Sequence, residues 1–79
     1  MKVTVYHAQG CHLCERALAV IEEVRTQVPF ELETVDIGGD PELEAAYRES
    51  LPVVEIDGAR AFVYYVDPAA LRRKVGAQS

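Results

Sequence analysis

Gly10-Cys11-His12-Leu13-Cys14-Glu15 holds both cysteines of a 79-residue chain and falls where strand-like sequence turns helical. Two cysteines three positions apart close too small a loop to hold a fold together, because the stabilisation by a disulfide grows with the loop it closes. Redox or metal chemistry is therefore the reading of the pair. Met1-Lys2 leads straight into Val3-Thr4-Val5-Tyr6 with no export or anchor signal to read, so the expected location is cytoplasmic, where thiols are kept reduced. The residues on either side read as a scaffold that presents the two sulfurs.

Upstream, residues 2 to 7 alternate as a strand, with Val3, Val5 and His7 on one face and Thr4 and Tyr6 on the other. Semi-apolar groups on both faces suit a central strand. Ala8-Gln9-Gly10 forms the loop that delivers Cys11. Downstream, from about His12 to Gln27, Cys14, Ala17, Leu18, Ile21, Val24 and Val28 recur at three- and four-residue steps, the apolar face of a helix. Pro29 ends it, since the residue before a proline is disfavoured in helical geometry.

Phe30 to Ile37 reads as a second strand, with Phe30 and Leu32 on one face and Val35 and Ile37 on the other. Gly38-Gly39 breaks it. Asp40-Pro41 then reads as an N-cap followed by proline at the first helical position, opening a short helix to about Arg48 that buries Leu43, Ala46 and Tyr47. Val53 to Ile56 and Ala59 to Val66 are strand-like runs joined by Asp57-Gly58. Both central positions of a type I′ turn need positive φ, so Asp-Gly here predicts an antiparallel hairpin. Asp67-Pro68 repeats the cap signature, Leu71 and Val75 lie one turn apart on a last helix, and Gly76 is placed to stop it.

The order is β-α-β-α-β-β-α in one domain spanning residues 1–79. The class is α/β: a parallel unit, an antiparallel hairpin and a closing helix, giving a four-stranded mixed sheet with helices on both faces, the element order of a minimal thioredoxin-like domain. A chain this short buries only roughly 60% of its unfolded surface, so the core must be well packed. A composition 49% apolar and 27% charged argues for a folded chain. The formal charge of −5 argues against nucleic acid or an anionic membrane as partner. Apolar runs such as Ala61 to Val66 fall far short of the roughly 18 to 20 residues of a membrane helix.

At a helix N-terminus Cys11 faces unpaired N–H groups and the positive end of the helix dipole, which favour thiolate over thiol. Cys11 is thus the expected nucleophile, titrating below the roughly 8.5 of a free thiol. Cys14, one turn on and at the head of the apolar stripe, is the expected resolving and more buried partner. His12 lies between them, and an imidazolium beside the thiolate would stabilise it and make the disulfide a better oxidant. The rivals are a metal module and a redox sensor. Structural zinc takes four ligands, and His7 and His12 could complete a set only in strained geometry, so no metal site is assigned within the chain. A metal or iron–sulfur cluster shared between two chains stays as an alternative, as does a non-catalytic partner-binding domain that uses the cysteines to sense redox state.

Gly10-Cys11-His12-Leu13-Cys14-Glu15, Val35-Asp36-Ile37 and Leu51-Pro52-Val53-Val54-Glu55-Ile56-Asp57-Gly58 together resemble the short glutaredoxin-like proteins of the thioredoxin superfamily, from about Lys2 to Val75. The resemblance implies a glutaredoxin-type fold and a thiol-disulfide oxidoreductase. It makes Pro52 a cis-proline packed opposite the Cys11–Cys14 pair. Proline lowers the cost of a cis bond to roughly 1 kcal/mol, and the backbone of Leu51 is then expected to pair with an extended substrate. Gln9 and Asp67 join Leu51 and Pro52 as expected substrate contacts, with His7 and Tyr6 nearby.

Glutaredoxins that use glutathione typically carry a basic residue before the first cysteine, Pro-Tyr or a similar pair between the cysteines, Thr-Val-Pro, and Gly-Gly plus an acidic residue before the last helix. Here those places read His7-Ala8-Gln9, His12-Leu13, Ser50-Leu51-Pro52 and Tyr64-Tyr65-Val66-Asp67; only Pro52 and Asp67 match. Tyrosines in place of two glycines crowd a ligand's approach to the backbone, which counts against glutathione as a co-substrate. Tyr64 and Tyr65 are expected to pack on strand faces instead. No organic cofactor is expected. The partners are a protein or small-molecule disulfide and a dithiol reductant, glutathione or a thioredoxin-type system, acting on a monomer.

Overall fold

Val3 and Val5 are fully buried on β1 (Lys2–His7), the strand that carries the chain into the cysteine loop. In the computed structural model, which describes residues 1–76, β1 lies inside a four-stranded sheet of order β2-β1-β3-β4. Residues 77–79 of the expected domain lie outside the described residues. β2 (Glu31–Asp36) runs parallel to β1, from Lys2 opposite Glu31 to His7 opposite Asp36. β3 (Val53–Ile56) pairs antiparallel on the other side, with Val5 opposite Val54. β4 (Ala59–Val63) completes the hairpin.

The helices divide between the two faces as expected. α1 (His12–Gln27) and α3 (Pro68–Gly76) cover the face of Val3, Val5 and Val54, where Ile21, Val24, Leu71 and Val75 complete the main core. Ile21 and Leu71 have no exposed surface, and burial of such a side chain contributes about 1.5 to 3 kcal/mol. α2 (Pro41–Tyr47) covers the other face at the cysteine end, where Tyr47 stacks on Tyr6 with ring centroids 4.2 Å apart. The Asp40 carboxylate caps α2 by accepting from the N–H groups of Glu42 and Leu43. No described helix is long and apolar enough to cross a membrane.

The predicted turn forms: Asp57 and Gly58 take φ of 51° and 84° between β3 and β4. Other local expectations shift. Leu43 and Tyr47 are half-buried, not buried, and Ala46 is exposed, because this short helix meets the sheet only through Leu43 and Tyr47, one turn apart, and turns the intervening position outward. β2 is an edge strand, so Leu32 and Val35 are only half-buried, while Ile37 just beyond it is fully buried. β4 stops at Val63, not Val66: Tyr64 takes φ 66° and Tyr65 N–H donates to the Val63 carbonyl at 2.7 Å, a γ-turn that leaves the sheet. Val66 then re-enters the core. α3 runs through Gly76, the residue expected to stop it.

Candidate active site

The turn after β1 sets the geometry. Gly10 takes φ 78°, a region open to glycine at little cost, and the Cys11 N–H reaches back to the Ala8 carbonyl at 3.3 Å. Cys11 is thereby left extended, at φ −87° and ψ 101°, as the N-cap of α1. A cap side chain normally offers an oxygen to the free N–H groups of the first turn. Here sulfur does so: Cys11 Sγ accepts from the Cys14 N–H at 3.1 Å.

Cys11 and Cys14 are joined in a disulfide with Cα atoms 5.2 Å apart, inside the usual span for such a bond. Their exposures differ as expected: Cys14 is 2% exposed, whereas Cys11 is half-buried at the surface. Cys14 shares a buried cluster with Ala8, Ile37 and Leu51, against which Tyr6, Cys11, Leu43 and Tyr47 pack. The sulfurs therefore stand on an apolar floor built by β1, α2 and the segment before β3.

That segment carries the cis Leu51-Pro52 bond, as the resemblance implies. Leu51 is brought against Cys14, and Pro52 is buried beside it with its carbonyl accepting from Tyr64 N–H at 3.0 Å. Gln9 is exposed and lines a polar cleft of about 370 Å³ with Ala8, Asp36, Gly38 and Arg48. Arg48 is already held there by Glu44. His12 points outward, its side chain 91% exposed and its Nδ1 3.5 Å from Glu15 Oε2. The Asp67 carboxylate is engaged at the start of α3, accepting from Ala69 N–H at 3.2 Å. The structure thus gathers Cys11, Cys14 and Leu51, places Pro52 and Gln9 at their borders, and gives His12 and Asp67 other partners.

Tyr64 and Tyr65 do not pack on strand faces: they are 44% and 70% exposed, because β4 ends before them. The Tyr64 hydroxyl donates to the Glu49 carbonyl at 2.9 Å, tying this turn to the segment ahead of Pro52. Tyr64 and Tyr65 face Leu13, Arg16 and Val20 of α1 across a cavity of about 140 Å³. The sequence signal for this wall is slight: Leu13 and Val20 are apolar residues lying off the main stripe of α1. The Tyr6–Tyr47 stack likewise leaves no mark in the sequence pattern. Tyr6 is pushed up to about 12 by its burial, then by its hydrogen bond with Tyr47 and by the carboxylates of Glu55 and Glu33. Among the described residues no three His, Cys, Asp or Glu side chains gather as a metal ion would need.

Comparison with known proteins agrees with this architecture. An uncharacterized protein of Mycobacterium tuberculosis is 31% identical over 71 residues, covering 84% of this chain and 73% of the relative. The crystal structure of XcR50 from X. campestris superposes with a TM-score of 0.78 at 29% identity, over 95% of this chain and 96% of that one. The NrdH-redoxin of Escherichia coli shares the fold, with a TM-score of 0.61 at 22% identity over 92% and 93% of the two chains. Residues 2–76 match the family described as Glutaredoxin-like domain (DUF836). With a thioredoxin-like fold and a Cys11–Cys14 pair capping its first helix, the chain belongs to that glutaredoxin-like family.

Proposed function

We propose that this protein is a thiol-disulfide oxidoreductase whose reduced Cys11–Cys14 pair reduces disulfides of proteins or small molecules. The observation that carries the reading is the Cys11 sulfur held as the N-cap acceptor of α1, half-exposed, with Cys14 buried behind it. A negative charge on that sulfur gains from the Cys14 N–H and the helix dipole, so the first thiolate forms on the accessible cysteine.

In the forward direction the Cys11 thiolate attacks one sulfur of the substrate disulfide. The S–S bond breaks, the far sulfur leaves as thiolate and takes up a proton, and a mixed disulfide joins Cys11 to the substrate. Cys14 loses its proton and attacks Cys11 Sγ, forming the intrachain bond seen here and releasing the second substrate thiol. Two electrons pass from the dithiol to the substrate, and a dithiol reductant returns them. The exchange itself uses no organic cofactor.

The extended Leu51 backbone, beside the sulfurs, is the proposed contact for the substrate chain, with Pro52 closing the wall and Gln9 at the rim. His12 adds positive charge near Cys11 when protonated, shared with Glu15. Asp67 acts by holding the start of α3. The exposed Tyr64 and Tyr65 narrow the place where glutathione-using relatives carry glycines, and a thioredoxin-type system is the first donor to test. The E. coli neighbour is described as a glutaredoxin-like protein with a thioredoxin-like activity profile, which supports that order. The proposed setting is the cytoplasm.

The test is reduction of hydroxyethyl disulfide, with glutathione and a thioredoxin-type reductase each tried as donor. Turnover that disappears in Cys11→Ser supports the function; an equally active Cys11→Ser protein refutes it.

A further inference from the structure

The cavity beside Tyr65 has a neighbour further along α1. Val20 lines both it and a second cavity of about 250 Å³ between α1 and Pro68 at the head of α3. The two adjoin at Val20, and taken together as a groove they run along α1 from Leu13 to Glu23, about 15 Å at 1.5 Å per residue, enough for four to five extended residues. Its upper walls are apolar, with Leu13 and Val20 facing the largely exposed Tyr65 ring. Its lower end closes on Glu23 and Arg72.

Arg16 stands at the end of this groove nearest the disulfide, exposed, and no described carboxylate pairs with it. The neighbouring charges are otherwise engaged: His12 with Glu15, and Arg25 with Glu22. In a chain of net charge −5, an unpaired guanidinium at an apolar groove is a local cation that attracts an acidic group and fixes its place.

We propose that the groove is a docking track for an extended segment of a protein substrate, with an acidic residue near the reacting cysteine and an apolar side chain beyond it. This rests on the oxidoreductase reading above and names the substrate class for that site. Arg16 lies five helical residues from Cys11 and Val20 nine. At 1.5 Å per residue against about 3.3 Å for an extended chain, the acidic residue sits about two positions from the substrate cysteine and the apolar one about four. A tripeptide thiol is too short to reach Val20, so the track separates protein disulfides from small ones.

The test uses synthetic peptides with one cysteine, first or last in the chain, blocked as a mixed disulfide with a chromogenic thiol. Glu or Lys is placed two positions away, and Leu or Ser four. With reduced protein, the Glu/Leu peptide is expected to show a second-order rate constant about tenfold or more above the Lys/Ser peptide. Arg16→Glu is expected to reverse the Glu over Lys preference, and Tyr65→Ser to bring the Leu over Ser preference below about twofold. Equal rates for all peptides, with hydroxyethyl disulfide still reduced, overturn the track and leave the oxidoreductase standing. No reaction with any disulfide overturns both.

Discussion

The backbone N–H of Cys14 donates to the Sγ of Cys11 at 3.1 Å, so the residue that would resolve the exchange also supports the sulfur that would start it. The same contact caps α1. Helix start and proposed nucleophile are one structure, and a change to either is felt by both.

From this contact the reduced Cys11 is expected to titrate below the roughly 8.5 of a free thiol, since an N–H aimed at sulfur and the helix dipole both favour thiolate. The pH dependence of its alkylation rate measures this directly. A midpoint at or above the free-thiol value would sink the capping explanation and leave the fold untouched.

Cys14→Ser should stall the exchange after its first step. The buried hydroxyl cannot displace the substrate from Cys11, so an adduct is expected to accumulate to near one per chain and to appear in the intact mass. Rapid, adduct-free turnover by this variant would show that Cys14 does not resolve.

Tyr6, pushed up to about 12 chiefly by its burial, makes stability fall in alkaline solution. The folded chain holds this proton to higher pH than the unfolded one, whose tyrosines ionise near 10. Tyr6 therefore contributes fully below about pH 10, and its contribution is lost as pH rises from there toward 12. Urea midpoints taken from about pH 9 to 11 should decline less steeply in Tyr6→Phe. Equal slopes would contradict the shift.

Tyr64→Phe removes the hydroxyl bond to the Glu49 carbonyl but keeps the γ-turn and the bond from its N–H to Pro52. A loss of about 1 kcal/mol in denaturant unfolding is expected, the usual worth of one such bond. No change would mean that the Glu49 carbonyl is equally well served by water.

The local features were legible because each depends on a few neighbouring residues. The stripe from Cys14 to Val24 marks α1, since helical spacing places those side chains together whatever they pack against. Asp57-Gly58 marks the hairpin because its φ values exclude most other pairs, and Asp40 and Asp67 mark helix starts through bonds two or three residues long. The element order came from such signals, and the order left few ways to pair the strands.

Local sequence is thus enough to show that the two cysteines open a helix behind a buried strand, with Cys11 outward and Cys14 inward. What surrounds them follows from the folded chain. Leu51 beneath Cys14, the Tyr6–Tyr47 stack and the wall of Tyr64 and Tyr65 facing Leu13 join residues far apart in the chain. β4 ends at Val63 because Tyr64 takes a positive φ and the Tyr65 N–H turns back to the Val63 carbonyl, and no pattern within β4 itself records that turn. The redox pair is a matter of local spacing and helix electrostatics. The surface proposed to select a substrate is a matter of which distant segments the sheet brings to the same end.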